Sequence, residues 1–164
     1  MIDASVARSA GGPSATDPGS KAARDFLSEV LEICHHLVYP RGSEIIEEWK
    51  KHRSGFAGTW LKQMISRKKV RFDVVVRDAA LADRILDQAS SAADRRHMAK
   101  DLHLVEAALS ADSVIVSYDE KARQAFARAA GSSTELRVVV WANPGDDHDW
   151  SQDPESWPRP LGEP

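Results

Sequence analysis

Short β-prone runs alternate with helix-patterned segments along this chain, and that order restricts its fold more than any other feature. Residues 1–6, 36–39, 113–117 and 136–141 read as strands. Helical patterning is expected over 21–33 with Ser20 as its cap, over 43–53, and in a stretch after Gly55 and Gly58 that carries Trp60, Leu61, Met64 and Ile65. Further helices are expected from Asp78 to about 90, from about 93 into 101–110, and over 119–130. Strands separated by helices favour parallel pairing with helices on both faces. The expected fold class is therefore α/β, a three-layer α/β/α sandwich around a mainly parallel sheet of about four strands. Residues 70–76 are β-prone and read as a strand or an extended connector, and residues 8–19, with Gly11, Gly12, Pro13, Pro18 and Gly19, read as a loop. Residues 145–164 are rich in proline and acids and lack periodicity, so a domain over 1–144 is expected to end in a loosely attached tail.

In an open parallel sheet, ligands bind beyond the carboxyl ends of the strands. Three acids fall where strands meet helices or turns: Asp3 in the opening run, Asp101 at the head of Asp101-Leu102-His103-Leu104-Val105, and Asp119 after Val114-Ile115-Val116. Each has an ordinary reading as well. Asp3 can face water. Asp101 can serve as a helix-entry residue. Ser117-Tyr118-Asp119-Glu120 fits a capping box with Ser117 as N-cap and Glu120 at N3, which leaves Asp119 in the first turn. Gathered together, the carboxylates would repel one another unless a cation stood among them, and a hard ion such as Mg²⁺ prefers such oxygen ligands. On the helix that buries Trp49, Glu47 is spaced to pair with Lys51, and Glu48 can lean toward the sheet.

Charge and cysteine content set limits on function. A formal net charge of -3 argues against a general nucleic-acid coat. Cys34 is the only cysteine, so no disulfide forms within the chain, and no zinc-ligand spacing surrounds it. The absence of a signal-like start and of a long apolar run points to a cytoplasmic protein away from membranes.

Asp3-Ala4-Ser5-Val6 is followed by Ser43-Glu44-Ile45-Ile46-Glu47-Glu48-Trp49, by Lys100-Asp101-Leu102-His103-Leu104-Val105-Glu106-Ala107-Ala108-Leu109 running into Val114-Ile115-Val116-Ser117-Tyr118-Asp119, and by the closing run Val138-Val139-Val140-Trp141. In that order, the pieces resemble the PIN-domain family of metal-dependent nucleases, over residues 1 to about 144. The resemblance implies a site of Asp3, Glu48, Asp101 and Asp119 for one or two Mg²⁺ or Mn²⁺ ions, with Glu48 favoured over Glu47 because it directly precedes Trp49, and with Ser117 and more weakly Ser5 as hydroxyl contributors. It also implies endonucleolytic hydrolysis of RNA that leaves a 5′-phosphate and a 3′-hydroxyl. For small single-domain members it implies the toxin role of a toxin–antitoxin module, with an antitoxin protein as partner. A nuclease of RNA processing or defence without an antitoxin, and a non-catalytic scaffold of the same fold, are the alternatives.

Substrate phosphates need cations. The basic run Lys62, Arg67, Lys68, Lys69 and Arg71 is expected to supply them, chiefly through Lys68, Lys69 and Arg71, with Lys50, Lys51 and Arg53 as a second group. The same run also reads as a solvated face. The stripe Phe56, Trp60 and Met64 suits either a homodimer contact or the core.

Overall fold

The computed structural model describes residues 1–33, 35–72, 78–146 and 160–162. The order of elements is α1 (Ala4–Ser9), α2 (Pro18–Glu32), β1 (Leu37–Val38), α3 (Glu44–His52), α4 (Gly55–Ser66), β2 (Val70–Arg71), α5 (Ala79–Asp87), α6 (Ala92–Leu109), β3 (Val114–Val116), α7 (Glu120–Ala130), a 3₁₀ turn at Leu136–Val138 and β4 (Val140–Ala142). The chain is a mixed α/β fold with short parallel strands. Among the described residues, β1 pairs with β2 and β3 with β4, both in parallel, and Ile2 adds a parallel bridge to Val116. The expected central sheet of about four strands is thus replaced by two small sheets. Helices carry most of the packing, and the strands stop after two or three residues. Residues 73–77, within the β-prone stretch, lie outside the described residues. Among the described residues, no helix is long and apolar enough to cross a membrane.

The opening run forms a helix rather than a strand. Only Ile2 bridges Val116, with Asp3 N–H donating to the Val116 carbonyl at 2.9 Å, and α1 begins at Ala4. Helix α2 starts three residues earlier than expected because Pro18 fits its first turn and Asp17, not Ser20, caps it. Ser43 and Asp78 cap α3 and α5 as their positions suggest.

The largest correction concerns α6. It is one continuous helix capped by Ser91, and Asp101 lies in its middle rather than at its entrance. Its buried positions are concentrated from Met98 onward, and every residue from Asp101 to Ala108 is buried. Near its start, the Arg128 guanidinium of α7 grips Asp94 at 2.5 and 3.1 Å and holds its carboxyl below the usual range.

Trp49 ties the core to the N-terminal segment. It is fully buried, its indole N–H donates to the Ile2 carbonyl at 2.9 Å, and its ring meets Tyr39 edge-on with centroids 5.6 Å apart. Trp60, 6.0 Å from Trp49, donates its own indole N–H to the Leu27 carbonyl. Trp60 and Met64 are buried and Phe56 packs against the core, so this stripe is interior. The far end of the chain returns to the sheet. Pro160 bridges Val140 in antiparallel sense, Leu161 N–H donates to the Val139 carbonyl at 2.8 Å, and Leu161 packs on the core.

Candidate metal and phosphate site

Asp3, Glu48, Asp101 and Asp119 come from four separate segments and line one cavity of about 490 Å³. Ala4, Ser5, Arg8, His52, Lys100, Tyr118, Glu120 and Lys121 complete its wall. The cavity is therefore acidic on its floor and carries cations around it.

Asp3 precedes α1, yet its side chain makes no cap bond to that helix. It is held instead by two hydroxyls. Ser117 Oγ donates to Asp3 Oδ2 at 2.8 Å, and Ser5 Oγ donates to the same oxygen. Ser5 Oγ in turn accepts from Tyr118 N–H at 3.1 Å, and Ser117 Oγ accepts from Asp119 N–H at 3.0 Å. Two serines thus fasten the start of the chain to the turn after β3. Ser117 does not cap α7. Its hydroxyl is engaged with Asp3, and Asp119 takes the cap by accepting from Ala122 N–H at 3.0 Å. Replacing Ser117 with alanine is expected to destabilise the protein by about 1–3 kcal/mol, because the bond to the buried Asp3 is lost and Asp119 N–H is orphaned. Urea unfolding measures it, and an unchanged midpoint would remove this role from Ser117.

Asp101 is the most perturbed acid of the site. Its side chain is only 9% exposed, and Oδ2 is buried without a hydrogen-bond partner. Burial pushes its pKa up to about 6; the Lys100 ammonium opposes the rise, while Asp119, Asp3 and Glu48 add to it. Lys100 Nζ lies 3.1 Å from Asp119 Oδ2 and 3.6 Å from Asp101 Oδ1. For Asp119, burial acts upward, but the Ala122 N–H and the Lys100 ammonium outweigh it and hold the carboxyl below its ordinary value.

Glu48 faces the cavity and is 41% exposed, whereas Glu47 points away and pairs with Lys50 at 2.8 Å rather than with Lys51. His103, quiet in the sequence, is buried beside Glu48. Its Nε2 lies 3.8 Å from Glu48 Oε2, and its Nδ1 is 3.1 Å from the Lys100 carbonyl.

The basic run lies elsewhere, and two of its members are committed to the scaffold. Lys68 ends α4 in the left-handed region with φ 59°, and its N–H and that of Lys69 close onto the Ile65 and Met64 carbonyls as a Schellman turn. Lys69 Nζ donates to the Leu31 and Ile33 carbonyls at the end of α2, and Arg67 donates to the Leu31 carbonyl and pairs with Glu32. Neither these residues nor Arg71 lines the acidic cavity; Arg71 borders a separate one with His35, His36 and Asp112. Arg8, Lys100 and Lys121 do line the acidic cavity, and the sequence reading passed over all three. Arg8 was absorbed into the expected loop, and single lysines in mid-helix or in a first turn, such as Lys100 and Lys121, carry no local signal.

The donor set fits a hard divalent cation. It is all oxygen, and one carboxylate oxygen is buried with nothing to bind. Among the described residues, no three carboxylate, imidazole or thiol groups converge closely enough to form a ready-made metal cluster. The nearest cation to the acids is Lys100 itself. No family model, no curated protein and no solved structure matches this chain.

Proposed function

We propose that this chain is a metal-dependent endoribonuclease of PIN type, with the three-layer α/β/α arrangement of that family. The observation that carries the reading is the meeting of Asp3, Glu48, Asp101 and Asp119 in one cavity, with an unpartnered, buried Asp101 oxygen among them. The parallel β3–β4 pair, extended by the Ile2 bridge, supports the fold assignment.

Asp3, Glu48, Asp101 and Asp119 would hold the ion, with Ser117 fixing Asp3 from behind the cavity wall. A Mg²⁺ or Mn²⁺ ion held by these residues would supply a water of lowered pKa and would neutralise charge on the phosphate under attack. The two serines keep Asp3 from rotating away, and the Ala122 N–H keeps Asp119 ionised and aimed. The Asp101 oxygen, desolvated and unbonded, gains the most when a cation arrives.

RNA phosphates would be drawn in by Arg8 and Lys121, which border the cavity and have no acidic partner among the described residues. Replacing both with glutamine is expected to flatten the salt dependence of RNA binding by about two phosphate contacts, a change of roughly 1.5 in the log–log slope. Replacing Lys68 and Arg71 is the comparison. If that pair flattens the slope and the Arg8/Lys121 pair does not, the RNA runs along the basic run instead.

The function itself is tested by incubating mixed RNA and single-stranded DNA with the protein in Mn²⁺, Mg²⁺ or EDTA. RNA cuts with 5′-phosphate ends that vanish in EDTA support the nuclease. No cleavage, together with no Mn²⁺ binding by calorimetry, favours a scaffold of the same fold. The toxin role belongs to this reading as well. In it, the protein is cytoplasmic and an antitoxin covers the acidic cavity.

A further inference from the structure

We propose that Lys100 is the resident cation of the acidic cavity, standing in for the divalent ion in the metal-free protein and released from the carboxylates when the ion binds. The inference rests on the metal-site reading above and concerns a residue that reading does not use.

Lys100 sits one residue before Asp101, on the turn of α6 that faces α7. Its ammonium is 3.1 Å from Asp119 Oδ2 and 3.6 Å from Asp101 Oδ1, so a single positive charge spans two acids from different helices. The Asp101 carboxylate is only 9% exposed, whereas Lys100 is 64% exposed. The acids are therefore fixed and the lysine can leave. Its long stem allows that movement without disturbing α6. An ammonium is a compact point charge that lessens the repulsion between Asp101 and Asp119, but it leaves Asp101 Oδ2 without a partner. A doubly charged ion with several ligand positions serves both acids and that oxygen better.

An ion and an ammonium on one pair of carboxylates repel each other, so metal loading favours the ammonium moving away. Once released, Lys100 still lines the cavity, where its donors can meet a phosphate oxygen. One residue would then keep the empty site closed and help hold substrate in the loaded one.

The test uses the full chain and Mn²⁺ alone. Lys100→Met keeps the stem and removes the charge, while Lys100→Arg keeps the charge. Titration calorimetry is run on wild type and both variants, with thermal unfolding of each in EDTA and in saturating Mn²⁺. Lys100→Met is expected to bind Mn²⁺ roughly three- to tenfold more tightly than wild type, because no ammonium has to be displaced. Its Tm should be lower than wild type in EDTA, and the gap should close in Mn²⁺. Lys100→Arg should bind close to wild type. Equal or weaker Mn²⁺ affinity in Lys100→Met, with wild type binding normally, overturns the proposal and leaves the metal site standing. Absence of Mn²⁺ binding by all three proteins overturns the metal-site reading and this proposal with it.

Discussion

Asp101→Asn is expected to abolish metal-dependent cleavage while making the metal-free protein more stable. The two effects have one cause. Asp101 is a carboxylate in a desolvated place beside other carboxylates, and its pKa is raised from 3.8 to about 6. A folded group that holds its proton to higher pH than the unfolded chain contributes stability that is fully present below about pH 3.8 and lost as pH rises through about 6. The displacement corresponds to about 3 kcal/mol at full strength. Screening by solvent at the cavity mouth reduces it to roughly 1–2 kcal/mol. Asparagine has nearly the same shape and no charge, so in EDTA at neutral pH the variant should exceed wild type by that amount. Between pH 4 and 7 it should also lack the decline that Asp101 imposes on wild type. Losing a ligand should cost at least the roughly 100-fold in metal affinity or activity that removal of a supporting residue can cost. Urea midpoints across pH, together with the RNA assay in Mn²⁺, measure both. A variant that cleaves at the wild-type rate would remove Asp101 from the site, and one less stable than wild type in EDTA would refute the strained carboxylate.

Trp49→Ala should have the largest effect on folding. It empties a fully buried indole site against Tyr39 and Trp60, which costs about 3–5 kcal/mol. It also removes the donor to the Ile2 carbonyl, for roughly 1–3 kcal/mol more. Since whole domains are stable by only about 5–15 kcal/mol, the variant should be largely unfolded near body temperature. Trp49→Phe keeps the ring and loses the donor, and should cost only the smaller part. Because Trp49 follows Glu48 and clamps the residue before Asp3, Trp49→Phe should also weaken Mn²⁺ binding through those two acids. Near-UV circular dichroism and urea unfolding read the outcome. A loss below 1 kcal/mol in Trp49→Ala would show that α3 is not anchored this way.

The acids were legible in the sequence because each sits near an apolar run, and those runs locate the ends of β3 and the α3 and α6 core faces. Their settings were less legible. The first half of α6 is largely solvent-facing, so its polar residues hid the helix and made Asp101 look like an entrance. The Ser117-x-x-Glu120 spacing matches a capping box, but the sequence does not record that Asp3, 114 positions away, claims the Ser117 hydroxyl. Strand content was overestimated for a related reason. Of the β-prone residues 1–6 only Ile2 makes a bridge before α1 begins at Ala4, and of 136–141 only Val140 and Trp141 are in a strand, because a 3₁₀ turn takes up Leu136–Val138. The basic run was legible as charge but not as architecture. That Lys69 closes the end of α2 depends on how two distant helices meet.

The return of Pro160 and Leu161 to β4 has a consequence for self-association. The outer rim of a sheet offers unsatisfied amide and carbonyl groups that can recruit a strand from another molecule. Here that rim is occupied by the chain's own terminal segment, and it begins with a residue that has no N–H to offer. A chain cut after residue 144 would keep every acid of the cavity and lose this cover. Such a truncation should associate through β4 as its concentration rises, so a shortened form that self-assembles would reflect an uncapped sheet rather than damage to the cavity.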